Sequence, residues 1–198
     1  MPTKTFLNLN EEKQNQIFNA LIKEFSQYRL MEAQVARIIN DCSIARGSFY
    51  KYFEDINDSY HYALKRVLKE VHFEVFQQIR AEKQNSLKVF YDATKSFIDR
   101  LKGTQYESFY QKYVVYNQFE LKHKEYDYRE MPEEYLVLLV DGRPVSDKEQ
   151  IIITYKWATS AAHETIRNVL SGGNQEQLFS DFESLLELLN KGLKNKGE

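Results

Sequence analysis

Residues 44–53 read Ile44-Ala45-Arg46-Gly47-Ser48-Phe49-Tyr50-Lys51-Tyr52-Phe53, and their spacing sorts them onto two sides of a helix. Phe49 and Phe53 stand four residues apart, so they share one face and can bury together. Arg46, Tyr50 and Lys51 are then left to project outward. Gly47 removes a side chain near the helix start, where the backbone is expected to approach a neighbour closely. Arg46 can pair bidentately with a guanine edge or clasp a phosphate, while the hydroxyls of Ser48, Tyr50 and Tyr52 can donate to phosphate oxygens. An isolated aromatic stripe is ordinarily core. Here basic, small and aromatic residues follow a corner in a fixed order, which favours a helix that faces DNA.

The residues upstream supply that corner. Asn8 to Tyr28 carries Asn10 as an N-cap, Glu11 and Glu12 in the first turn, and Ile17, Leu21, Ile22 and Phe25 at helical spacing. Between Glu32 and Phe53 two shorter apolar clusters, Val35-Ile38-Ile39 and Phe49-Tyr50-Phe53, flank Asp41-Cys42-Ser43. Two short helices joined by a tight corner are predicted. Within residues 1–53 seven basic side chains outnumber five acidic ones, against a whole-chain charge of -2. The separation is small but has the sign expected of a segment that meets phosphate.

Downstream, Asn57 or Asp58 is expected to cap a helix running to about Arg80, with Tyr60, Leu64, Val67, Leu68, Val71, Val75 and Ile79 on one face. Further helices are predicted over Asn85–Leu101, ending at Gly103, and from Gln105 to about Tyr126. Lys122 to Glu134 reads as a charged connection. The run Tyr135 to Val140 before Asp141-Gly142 suits a short helix or a hairpin strand, and the short helix is the expectation. Ser146, with Glu149 three residues on, predicts the start of a helix that continues to Leu170 and stops at Ser171-Gly172-Gly173. Asn174 to Lys194 is a last helix, antiparallel to its predecessor. The fold class is therefore all-α, with a helix-turn-helix head at residues 1–55 and a helical body at 56–198.

Composition narrows the alternatives. Seven Gly and three Pro in 198 residues are too few for a turn-dense all-β design, and 42% hydrophobic residues suffice for a packed core. Cys42 stands alone, excluding an intrachain disulfide and an all-cysteine zinc site. No apolar run approaches the length of a membrane span, and Met1-Pro2-Thr3-Lys4-Thr5 lacks an apolar signal core, so a cytoplasmic location is expected. Enzyme signatures are missing: there is no phosphate-cradling Gly-rich lysine motif and no nucleophile elbow, and His163-Glu164 lacks the second His of a zinc protease helix. A helical interaction protein without DNA contact remains the other rival. It does not account for the ordered set from Arg46 to Tyr52.

From Ile44 to Phe53 the sequence resembles the TetR family of bacterial repressors, and the order of helices extends the likeness over the chain. The resemblance implies that Arg46, Gly47 and Ser48 lie at the groove, with Tyr50, Lys51 and Tyr52 on the phosphate backbone. Two departures stand out. The family corner usually carries Gly where this chain has Ser43, and a Lys that often anchors phosphate near Ile56 is replaced by the acidic surroundings of Glu54, Asp55 and Asp58.

The resemblance also implies a homodimer through the last two helices, a near-palindromic operator of double-stranded DNA, and release of the repressor when a small hydrophobic ligand fills the body. For the ligand, the chain also looks like a haem-sensing subgroup that controls haem efflux. His72, one turn before Phe76, and His163, near Thr159, Ile166 and Leu170, are then the expected iron ligands, facing one interior space. The alternative is that both are ordinary core or interface histidines and that the body takes another hydrophobic compound or drug. His61 and His123, among polar neighbours, are expected to be solvated.

Overall fold

The computed structural model describes residues 2–71, 75–118, 121 and 127–194; side chains at 71, 75–77 and 194 lie outside that description. Helices dominate throughout, in agreement with the all-α expectation. The chain forms two units, one from residues 1–72 and 101–123, the other from 73–100 and 124–198.

The first unit begins with a single turn, α1 (Lys4–Leu7), followed by α2 (Glu11–Gln27). Asn10 caps α2 as predicted, its side chain accepting the Lys13 N–H at 2.8 Å. A 3-10 turn at Leu30–Glu32 leads into α3 (Val35–Asp41), a corner, α4 (Arg46–Tyr52) and α5 (Ile56–Val71). The cap of α5 is Asp55 rather than Asn57 or Asp58: its Oδ1 accepts the Asp58 N–H at 2.7 Å, and Asp58 in turn accepts the Glu54 N–H at 3.2 Å. The unit is completed by α8 (Glu107–Lys112), which winds into a π turn at Tyr113–Asn117. Phe25, Tyr60 and Phe109 bury completely against one another, with ring centroids 4.8 to 6.5 Å apart. The π turn brings the fully buried Asn117 to a point where its Oδ1 accepts the Leu30 N–H and its Nδ2 donates to the Tyr60 hydroxyl, both at 3.1 Å. One side chain thereby satisfies a buried backbone donor just ahead of α3 and a buried phenol on α5.

The second unit contains α6 (Val75–Ala81), α7 (Ser86–Leu101, whose last residue falls in the first unit), α9 (Lys148–Leu170) and α10 (Gln175–Lys194). Asp147, not Ser146, caps α9, accepting N–H groups of Glu149 and Gln150. Asn174 caps α10 through the Gln177 N–H at 3.1 Å. Helices α9 and α10 pack together, and Gly172 at φ +91° makes the turn between them.

Residues 135–140 do not form the expected short helix. A 3-10 turn over Glu133–Tyr135 gives way to β1 (Leu139–Val140), paired antiparallel with β2 (Arg143–Pro144). The turn residues decide this: Asp141 and Gly142 both take positive φ, 49° and 73°, the geometry of a two-residue hairpin. Side-chain and backbone partners fix its place, since Leu139 N–H donates to Ser86 Oγ at 2.9 Å and Gly142 N–H to the Gln84 carbonyl at 2.8 Å.

Candidate nucleic-acid interface

The surface is built from its buried side outward. Ile17, Leu21 and Phe25 of α2 are fully buried, as are Ile38 of α3 and Phe49 of α4. Phe53, at the end of α4, lies 5.4 Å from Phe49, 5.0 Å from Phe6 of α1 and 5.7 Å from Tyr62 of α5, measured between ring centroids. With Phe49 and Phe53 committed inward, the rotation of α4 is fixed. Arg46, Gly47, Tyr50 and Lys51 are exposed, whereas Ser48 and Tyr52 are half-buried. Tyr52 turns its ring edge-on to Phe6 at 5.8 Å, so its ring is part of the packing against α1.

Arg46 carries no ion pair among the described residues, and its guanidinium lies 6.0 Å from the Tyr50 ring. Together these two side chains, the start of α3 at Gln34, Val35 and Ala36, and Asp55 border an open groove of about 400 Å³. Gly47 does not serve the intramolecular close approach expected of it: a Cβ at that position meets nothing within 4 Å. The space beside it is open to a partner.

The corner carries a second constraint. Ser43 adopts φ +50°, the left-handed region in which a side chain is disfavoured and glycine is at ease. The preceding Cys42 is fully buried, its thiol donates to the Ile38 carbonyl at 3.1 Å, and burial pushes the thiol above its ordinary pKa. It is a small core residue rather than a reactive one.

Not every cation near the surface is available. The carboxylate of Glu24, nearly fully buried, accepts from Arg37 Nε and Nη2 at 2.6 to 3.0 Å and from the Gln34 N–H at 2.7 Å. The hydrogen bonds to Glu24 hold the Arg37 guanidinium above its ordinary pKa. Glu24 thereby also caps the start of α3, where Gln34 provides no side-chain cap of its own. Sequence periodicity placed Glu24 on a helix but gave no sign of this partnership.

Thr3 was also missed. Its hydroxyl donates to the Lys51 carbonyl at 2.6 Å and its N–H donates to the Tyr52 carbonyl at 2.9 Å, while the same hydroxyl caps α1. A Thr three residues before Phe6 was legible as a helix cap. Its reach across 48 residues was not.

Among the described residues the histidines do not assemble into an iron site. His163 is exposed on α9 rather than facing an interior. His72 and His123 lie outside the described residues, as does the side chain of Phe76. His61 is exposed, its Nδ1 2.8 Å from the Asn57 carbonyl. Among the described residues no three His, Cys, Asp or Glu side chains group as metal ligands, and no helix is long and apolar enough to cross a membrane.

No family model matches the chain, and no curated relative matches it. Among solved structures, it is similar to a TetR family transcriptional regulator from Chloroflexus aurantiacus J-10-FL, at 20% identity and a TM-score of 0.48, over 97% of this chain and 98% of that one. It is also similar to a TetR transcriptional regulator from Rhodococcus sp. RHA1, at 16% identity and a TM-score of 0.45, over 91% of this chain and 97% of that one.

Proposed function

We propose that the chain is a DNA-binding transcriptional regulator of the TetR type, with residues 1–55 as its DNA-binding domain and residues 56–198 as its effector-binding and dimerisation domain. The observation that carries this reading is the division of α4: Phe49 is buried, while Arg46, Tyr50 and Lys51 stand exposed on the same two turns with no carboxylate paired to them among the described residues. A helix that kept these groups for its own stability would have engaged them. Arg46 and Gly47 are assigned to the groove floor together with Ser48, and Tyr50, Lys51 and the Tyr52 hydroxyl to phosphate.

A homodimer completes the reading, because two such heads related by a two-fold axis match two half-sites of a near-palindromic operator. Ile153 and Trp157 of α9 and Leu185 and Leu188 of α10 support it, being apolar and 37 to 64% exposed on the last two helices. The regulator acts as a cytoplasmic repressor, and a small hydrophobic effector releases it by binding the conformation that does not fit DNA more tightly than the one that does. The exposed His163 gives no support to haem as that effector.

The test is retention on random-sequence duplex DNA over a salt series, with the particle mass followed in parallel. Wild type should bind as a dimer and lose affinity steeply with salt. Arg46→Ala should weaken binding while helix content stays unchanged. Equal binding by wild type and Arg46→Ala would overturn the assignment of α4.

A further inference from the structure

The amino-terminal turn closes the exposed end of α4, and the geometry points to its being part of the DNA interface: Thr3 positions the end of α4 and sets Lys4 beside Lys51 as a second phosphate contact. This inference rests on the DNA-binding reading above. It assigns to residues 3–6 a role that neither the corner nor the outer face of α4 contains.

The argument starts from the shortness of α4. A helix of seven residues leaves its last carbonyls without intrahelical partners, and its final turn frays unless something else engages them. Thr3 engages two of them at once, the Lys51 carbonyl with its hydroxyl and the Tyr52 carbonyl with its N–H. The hydroxyl also accepts the Phe6 N–H at 3.4 Å, so one oxygen ends α4 and begins α1. Phe6, fully buried against Tyr52, Phe53 and Tyr62, fastens the turn from below.

This docking places Lys4 one residue from the group that touches Lys51. Both lysines are exposed, and neither makes an ion pair or a side-chain hydrogen bond among the described residues. The exposed Glu54 nearby in sequence pairs with neither. The Thr3 contact therefore brings the backbone of two exposed lysines to the same end of α4. Just beyond the end of α4, the carboxylates of Asp55 and Asp58 are engaged by the Asp58 and Glu54 N–H groups, and the Glu54 side chain is exposed without a partner among the described residues. Lys4 and Lys51 are thus the two unpaired cations at this end of α4 that a backbone phosphate can engage, and α1 supplies one of them.

Lys4→Gln separates this role from a structural one, because the side chain lies outside the hydrogen-bond network of the turn. Its effect is read from the slope of log affinity against log salt on random-sequence duplex spanning roughly three helical turns. Each protomer of the dimer then loses one phosphate contact, so the magnitude of that slope should fall by about two. Thr3→Val removes the hydroxyl and should weaken binding about fivefold by loosening the end of α4, with Thr3→Ser restoring it and circular dichroism verifying the fold. An unchanged slope in Lys4→Gln overturns the inference. If wild type itself shows no salt-dependent binding, or Arg46→Ala binds like wild type, the DNA-binding reading falls instead.

Discussion

Among the arginines set beside tyrosines in the first unit, two are used in opposite ways. Arg37 lies 3.7 Å above the Tyr28 ring, its donors spent on both oxygens of Glu24 and on the Glu32 carbonyl. Arg46 lies 6.0 Å from the Tyr50 ring with no carboxylate partner among the described residues. Nine positions apart, identical side-chain types are locked in one place and left open in the other. The comparison teaches that residue type alone does not mark an interface; the donors left over once the fold has taken its share do.

The largest effect that could break the comparison concerns the locked pair. Glu24→Ala leaves the Gln34 N–H without its partner at the start of α3 and frees Arg37. Stability should fall by about 2 kcal/mol, the cost of stranding a buried polar group. It is measured as a lower denaturant midpoint at unchanged slope. Arg46→Ala, on the same assay, should stay within about 0.5 kcal/mol of wild type, as surface substitutions do. Equal losses in both variants would show that Arg46 is also structural.

Much of this was legible in sequence. The i, i+4 pair of Phe49 and Phe53 fixed which way α4 turns, and the side chains it leaves outside are those that the spacing assigned there. Asn10 capped α2 as its position predicted. Legibility failed where distant residues supply the missing partner: Thr3 reaches Lys51, Asn117 reaches Leu30 and Tyr60, and Glu24 reaches Gln34 and Arg37. Residues 135–140 failed for another reason. Six apolar residues satisfy either periodicity, and the deciding information sat in the left-handed pair Asp141-Gly142 that follows.

Ser43 sharpens the comparison at a smaller scale, because the corner between the locked helix α3 and the open helix α4 holds it at φ +50°. Ser43→Gly removes the Cβ from a conformation that disfavours it, at the expense of a more flexible unfolded chain. A net stabilisation of about 0.5 kcal/mol is expected, read as a rise in thermal midpoint. Destabilisation would mean that the Ser43 side chain contributes more to the corner than its backbone strain costs.

The smallest effect bears on the open side. Asp55 accepts the Asp58 N–H in the first turn of α5 and Asp58 accepts the Glu54 N–H, but Glu54 is exposed and its side chain has no partner among the described residues. Its charge therefore serves neither the cap nor a salt bridge, and in a DNA complex it stands near phosphate. Glu54→Gln should raise duplex affinity about twofold at low salt, the scale of one screened surface charge. The gain should fade as salt rises, because the Debye length shrinks toward 8 Å at physiological ionic strength. A gain that persists at high salt would require a direct contact by the new amide instead. No gain at any salt would place the duplex away from the start of α5, confining it to the face that Arg46, Tyr50 and Lys51 present.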